Sequence, residues 1–337
     1  MAAEEVLVRV GGRTLGLSNL DKVLYPAVGY TKAEVISYYT QIAPVLLPYV
    51  RDRALTRLRY PNGVPIDAPT GAEGGSTPPP SGAFYEKNAP AGTPSWVVRQ
   101  LVGTSDGVID YVVVSEQATL VWLANLAALE LHVPQWTIGS GRSGADGVLD
   151  LPGDEPRDTE PLANRLVVDL DPGAGMTIVE TARASLMVAA AMASDGLLPV
   201  AQSSGSKGIQ LYAALAPCRS RDAWAYVRRL NATMAKSNPD VFVSAMSVEQ
   251  RRGRIYLDYN QNLAARNTIA PYSMRGRPVP SVAAPVTWEE LGAVSAPDDL
   301  RFSPEQVLDR VAEHGDLAAD LLLSDPPALP VELGADG

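Results

Sequence analysis

Three carboxylates give this 337-residue chain its clearest chemical possibility. In Arg165-Leu-Val-Val-Asp169-Leu-Asp171-Pro-Gly173, an apolar run ends in two acids separated by one residue. On a strand, positions i and i+2 share a face, so Asp169 and Asp171 project together, about 7 Å apart along the chain, with Val168 and Leu170 packing behind. Adjacent carboxylates raise each other's pKa unless a cation lies between them, and a hard divalent metal is the natural remedy. The alternative is a strand-ending Asp-Pro-Gly turn. Asp258 also closes an apolar strand pattern, with Ile255 and Leu257 on one side and Tyr256 and Asp258 on the other. Placed beside the first pair, it would complete a two-metal site for in-line phosphoryl transfer; the alternative is an acid on an exposed face.

Anion-binding candidates accompany the acids. Ser203-Ser204-Gly205-Ser206-Lys207-Gly208 sits between two apparent strands, where glycines allow backbone N–H groups to form a nest for phosphate oxygens. It lacks the Walker A spacing, and an ordinary hairpin has the same composition. Arg275 and Arg277 flank Gly276 in a loop suited to bidentate phosphate contacts, which Arg251 joins if the fold brings it near. For His132, one of two histidines, a buried, hydrogen-bonded structural role is the more common outcome, with a ligand-facing role as the alternative. Lys22, in Asn19-Leu-Asp21-Lys22, and Lys32 surround a Thr31/Glu34 capping box, where free helix amides would attract an anion.

The positioning elements follow from periodicity. A hairpin is expected around Gly11-Gly12, and helices over 31–50, 115–129, 176–194 and 220–236. Strands are expected at 54–60, 108–114, 165–171, 199–203, 208–215 and 254–259. Ser303-Pro304-Glu305-Gln306 opens a last helix. Residues 61–82, 139–160 and 260–287 read as loops. The expected fold class is α+β, two β-sheets flanked by helices around a central cleft. Residues 1–290 would form the catalytic domain, and 291–337 an acidic helical segment packed on the same unit.

A net charge of −10 argues against nucleic-acid binding only until it is localised. Residues 288–337 hold twelve acids and two bases, which accounts for all of it. Segment 251–277 has six arginines against one acid, and 51–59 four against one. Cys218 is the single cysteine, so no internal disulfide or cysteine-based zinc site is expected. No stretch is apolar enough to predict a membrane span, and the N-terminus does not read as a signal peptide, so a cytoplasmic, nucleoid-associated location is expected.

Seven segments in this order resemble one family: NLDKVLYP (19–26), YTKAEVISYY (30–39), FYEKNAP (84–90), LVWLANLAALELH (120–132), VVDLDPG (167–173), SSGSKGIQLY (203–212) and LDYNQN…NTIAPYSMRGR (257–277). Together they are similar to the polymerase domain of bacterial ligase D, in the archaeo-eukaryotic primase superfamily, over roughly residues 15–290. The resemblance implies a DNA-dependent primase-polymerase that extends primers at short gaps or broken ends, preferring ribonucleotides. Asp169, Asp171 and Asp258 would hold two Mn2+ or Mg2+ ions. Ser204, Ser206 and Lys207 would hold the triphosphate, with Arg251, Gln261, Arg275 and Arg277 around it and His132 contacting the nucleotide. Phe84 or Tyr85 would stack on a template base, with Lys87 beside them. Asn19, Lys22 and Lys32 would hold the 5′-phosphate across a gap.

Gln210 stands where the family usually carries histidine, so it can hydrogen-bond but not bring charge. Loops 61–82 and 139–160 are longer than the family pattern. No K-x-D-G adenylation motif occurs, so the chain resembles the stand-alone primase-polymerase C type, with a separate DNA ligase or end-binding protein as an implied partner. A metal-dependent nuclease and a non-catalytic DNA-gap-binding module are the alternative functions.

Overall fold

Two sheets, each backed by helices on one face, organise the chain. The computed structural model describes residues 5–67, 82–105, 107–151, 159–205, 208–244 and 250–330. The first sheet runs in the order Val148–Asp150, Arg99–Thr104, Gly107–Val113, Ala54–Arg59, Ala128–Val133 and Thr268–Ile269, with Phe84–Glu86 pairing on Ala54–Arg59. The second runs Ile255–Asp258, Ala163–Pro172, Ile209–Cys218, Pro199–Ser203 and Pro285–Val286. This is the expected α+β class.

Alternation along the strands sorts the two faces. Leu55, Val112, Leu129 and Leu131 pack with helices Lys32–Val50 and Gln117–Asn125 in one core. Val168, Leu170, Leu211, Ile255 and Leu257 pack with helices Ile178–Ser194 and Ser220–Ser237 in another. Each such fully buried side chain contributes about 1.5–3 kcal/mol. The remaining faces carry the polar residues and are joined by a short buried network. Arg165 Nε donates to Gln135 Oε1 at 2.7 Å, Gln135 Nε2 donates to Thr268 Oγ1 at 2.8 Å, and Tyr212 Oη donates to the same hydroxyl at 2.9 Å.

Most expected elements occur. The first hairpin pairs Glu5–Val10 with Arg13–Ser18, and the Thr31/Glu34 capping box starts helix Lys32–Val50. The expected helix over 115–129 is shorter: it spans Gln117–Asn125, and Ala128–Val133 is a strand. Glu116 occupies its N-cap position without a side-chain cap bond. Ala127, at φ 58°, makes the turn between the two. Strands Arg99–Thr104, Phe84–Glu86 and Val148–Asp150 and helix Trp288–Ala293 were not anticipated. The C-terminal segment contacts the body through Asp316, which accepts from Tyr49 at 2.5 Å and Tyr272 at 2.6 Å, and through an Arg310–Glu290 ion pair. Among the described residues no helix is long and apolar enough to cross a membrane.

Candidate active site

The three acids come from neighbouring strands on one face. Strands Ala163–Pro172 and Ile255–Asp258 are antiparallel with Asp169 opposite Asp258 and Asp171 opposite Tyr256. Directly opposed residues in such a pair have Cα atoms about 4.5–5.5 Å apart, so the carboxylate of 258 lies within side-chain reach of the other two. The row continues across the sheet: Asp169 pairs with Gln210, and Gln210 with Gln202. Gln210 Oε1 accepts from Gln202 Nε2 at 3.2 Å and from Tyr212 Oη at 3.0 Å.

Protein donors hold two of these acids. Asp258 Oδ2 accepts from Gln261 Nε2 at 3.0 Å, and its Oδ1 from the Asn260 amide at 3.0 Å. Arg251 Nη1 lies 3.2 Å from Asp171 Oδ2, with its guanidinium stacked 4.1 Å from the Tyr256 ring centroid. Gly173 makes this approach possible. A Cβ there would sit 1.8 Å from the Arg251 carbonyl oxygen, and the Gly173 amide donates to the Arg254 carbonyl at 2.9 Å. The Asp-Pro-Gly sequence therefore docks the 251–254 turn as well as ending a strand. Among the described residues no three Asp, Glu, His or Cys side chains converge on one point as a ready metal cage. The donor chemistry nonetheless fits a hard divalent ion: three carboxylates share a face, and a cation already sits on one of them.

A cationic cluster lies on the facing sheet around Glu130, a residue the sequence reading missed. Glu130 Oε1 accepts from the Gly276 amide at 2.9 Å and lies 3.4 Å from Arg275 Nε; Oε2 lies 2.9 Å from His132 Nε2. Burial disfavours the Glu130 charge most, but Arg275, His132 and Arg277 together outweigh it, and its carboxyl is held well below the usual carboxylate range. Arg275 also donates from Nη1 to the Ser204 carbonyl at 2.5 Å, which ties the cluster to the second sheet. Gly276 fits against Tyr60, whose ring atoms would lie 2.2 Å from an added Cβ. Glu130 and His132 share a strand face because Ala128–Val133 alternates with a period of two; the expected helix ends at 129, and no element is expected over 130–133. Gln202 and Tyr212 were missed because only register reveals them.

The remaining candidates distribute as follows. Ser204 and Gly205 form the start of the turn expected as an anion nest, with Gly205 at φ 77°; their amides are engaged within it, donating to the Gly208 carbonyl and the Ser203 hydroxyl. Ser206 and Lys207 lie outside the described residues. Phe84 and Tyr85 are exposed on opposite faces of one strand, so they cannot stack on the same side. Tyr85 Oη bonds Asn267 Oδ1 at 3.1 Å, and Lys87 lines a hollow with Thr56, Tyr111, Trp136 and Asn267.

Lys32 is buried with Nζ donating to the Ser18 carbonyl at 2.6 Å; burial and then the nearby Lys22 charge lower its pKa to about 8. Asn19, at φ 53°, starts the turn that clips onto the helix. The free helix amides expected here are not free. The Lys32 and Ala33 amides donate to Lys22 and Leu20 carbonyls, and the Glu34 amide to Thr31 Oγ1, so any anion must be held by the ammonium groups.

Comparison with known proteins agrees with this layout. Residues 31–318 match the model of the LigD primase-polymerase domain. The multifunctional non-homologous end joining protein LigD of Mycolicibacterium smegmatis is 39% identical over 313 residues, 93% of this chain and 36% of that protein. The bifunctional LigD of Bacillus subtilis is 30% identical over 307 residues, 89% of this chain and 43% of the relative. The chain thus spans less than half the length of these curated relatives. The polymerase domain of Mycobacterium tuberculosis ligase D, solved in complex with DNA, superimposes with a TM-score of 0.76 at 36% identity, covering 93% of this chain and 99% of that one. The sheets, the acid-bearing strands and these matches lead to one assignment: the chain belongs to the LigD primase-polymerase domain family of polymerase-type nucleotidyltransferases, with their archaeo-eukaryotic primase-like fold.

Proposed function

We propose that this chain extends DNA primers at short gaps or broken ends during end-joining repair, with ribonucleoside triphosphates as preferred substrates. The observation that carries the reading is the register of Asp169 against Asp258, with Asp171 on the same face. Asp169, Asp171 and Asp258 would hold two divalent ions, Mn2+ or Mg2+. Such ions supply activation of the primer 3′-hydroxyl and neutralisation of the leaving pyrophosphate.

The chain's own groups do the positioning. Arg275 and Arg277, oriented by Glu130, present fixed positive charge to the triphosphate. His132 contacts the nucleotide from the same strand face, with Ser204 and Gln210 on the opposing sheet, and Ser206 and Lys207 would add to the triphosphate contacts. Gln261 orients the Asp258 carboxylate. Arg251, which pairs with Asp171, would offer its charge to the triphosphate if divalent ions took over that carboxylate. Phe84 or Tyr85 supports the template base by stacking, which any base accepts, and Lys87 lies beside it. Asn19 shapes the turn that brings Lys22 and Lys32 together for the 5′-phosphate.

The deciding experiment is gap filling with ribo- against deoxyribonucleoside triphosphates in Mn2+, with nucleotide-induced thermal stabilisation measured in parallel. Extension favouring ribonucleotides, together with stabilisation, supports the reading. Strand cleavage without nucleotide stabilisation would favour a nuclease, and gap binding without incorporation a non-catalytic module.

A further inference from the structure

Helix Ser220–Ser237 carries Arg221, Arg228, Arg229 and Lys236 against one acid, Asp222, in a chain whose net charge is −10. Trp224 lies between two of these arginines. Arg221 Cζ is 5.4 Å and Arg228 Cζ 5.2 Å from its ring centroid, one turn before and one turn after it along the helix. Both arginines are exposed, and among the described residues neither has a carboxylate within ion-pair distance.

The stack does not end on the helix. Trp224 Nε1 donates to Asn260 Oδ1 at 3.2 Å, and its ring meets Tyr259 edge-on at 5.5 Å. Tyr259 meets Tyr256 at 5.9 Å, Arg251 covers Tyr256, and Arg251 reaches Asp171. This path passes round Ile255–Asp258, the edge strand of its sheet, and joins the outer helix to the acid-bearing face.

We infer that Arg221 and Arg228, held in place by Trp224, bind the phosphate backbone of the duplex upstream of the primer terminus. The inference rests on the polymerase reading and identifies where its DNA product leaves the site. The chain of contacts from Asp171 round the edge strand to Trp224 ends at the exposed positive charge of this helix, and that is where the duplex is placed. Stacking on an indole keeps a guanidinium extended and restricts its rotamers without consuming its N–H donors, so less order is lost when a phosphate is bound. Lys32 begins helix Lys32–Val50, which packs on the other sheet, and Lys22 lies in the turn before it, so the downstream phosphate and this helix use different layers.

The test measures affinity for gapped DNA as the upstream arm is lengthened from about half to about one and a half helical turns, at several salt concentrations. Wild type should bind the longer arm more tightly. R221Q/R228Q should lose that gain, and its salt slope on the long arm should fall by about 2, roughly one per phosphate contact removed. Short-arm binding and triphosphate stabilisation should be unchanged, as should the long-arm gain in R183E, a charge reversal on an exposed arginine of helix Ile178–Ser194.

If wild type gains nothing from a longer arm, or if the double variant keeps both gain and slope, the inference is overturned while gap filling still stands. Equal losses on short and long arms would also overturn it, because the contact would then not be upstream. Failure of wild type to bind gapped DNA at all would instead count against the polymerase reading.

Discussion

Replacing Glu130 with Gln tests whether the cationic cluster is held by a buried charge. The residue is 4% exposed, and its neighbours Arg275 and Arg277 are 7% and 8% exposed. Gln keeps the shape and one oxygen for the Gly276 amide but removes the countercharge. Breaking a buried pair by removing one partner costs about 3–5 kcal/mol, and the conserved shape places E130Q near the lower end, about 3 kcal/mol. With an unfolding entropy of about 2.1 cal/mol/K per residue, a chain of this size loses about 4 °C in Tm for that change.

The sign with pH is fixed by the direction of the Glu130 shift. Its folded pKa lies below the ordinary value of 4.5, so the stabilisation is complete above pH 4.5 and is lost as pH falls toward the folded value. Thermal unfolding of wild type and E130Q should therefore differ by a constant amount from pH 7 to about pH 5 and converge in more acidic buffer. A triphosphate supplies negative charge to the same arginines, so it should restore part of the stability lost in E130Q. Equal Tm values at pH 7, or a gap that does not narrow with acid, would show that the cluster does not depend on the Glu130 charge.

Other consequences are accessible to routine assays. G276A should fold poorly or lose triphosphate-induced stabilisation, because its Cβ would lie 2.2 Å from the Tyr60 ring; normal stability and nucleotide response would contradict the packing. The preference for gapped DNA bearing a 5′-phosphate over unphosphorylated DNA should weaken as pH rises through about 8, where Lys32 loses its charge, and should vanish in K22Q/K32Q. An unchanged preference would place the phosphate elsewhere. F84A should leave stability within about 0.5 kcal/mol, since the side chain is exposed, yet reduce templated extension; undiminished extension would remove Phe84 from the template contact.

Much of this arrangement was legible in the sequence because it follows strand periodicity. The acid at each strand end, the apolar residues behind Asp169 and Asp258, and the Thr31/Glu34 cap depend only on local spacing. What could not be read was register. Nothing local states that Asp258 pairs with Asp169, or that Gln202 and Gln210 extend the same row. The expected helix runs on to Ala128 and Leu129 because the apolar residues before them continue without a turn signal, and the alternation from Glu130 to Val133 is too short to announce a strand. The amides at the start of helix Lys32–Val50 were expected to be free, but the Asn19–Lys22 turn folds back to occupy them. Gly173 and Gly276 looked like turn residues; each is also where another segment packs too closely for a Cβ.

The most direct measurement is single-turnover extension of a gapped primer-template in Mn2+ by wild type and D258N, with circular dichroism confirming that both are folded. Three acids sharing bound cations predict a loss of about a thousandfold or more in D258N. A D258N rate within a few-fold of wild type would contradict the assignment of Asp258 to the site it forms with Asp169 and Asp171.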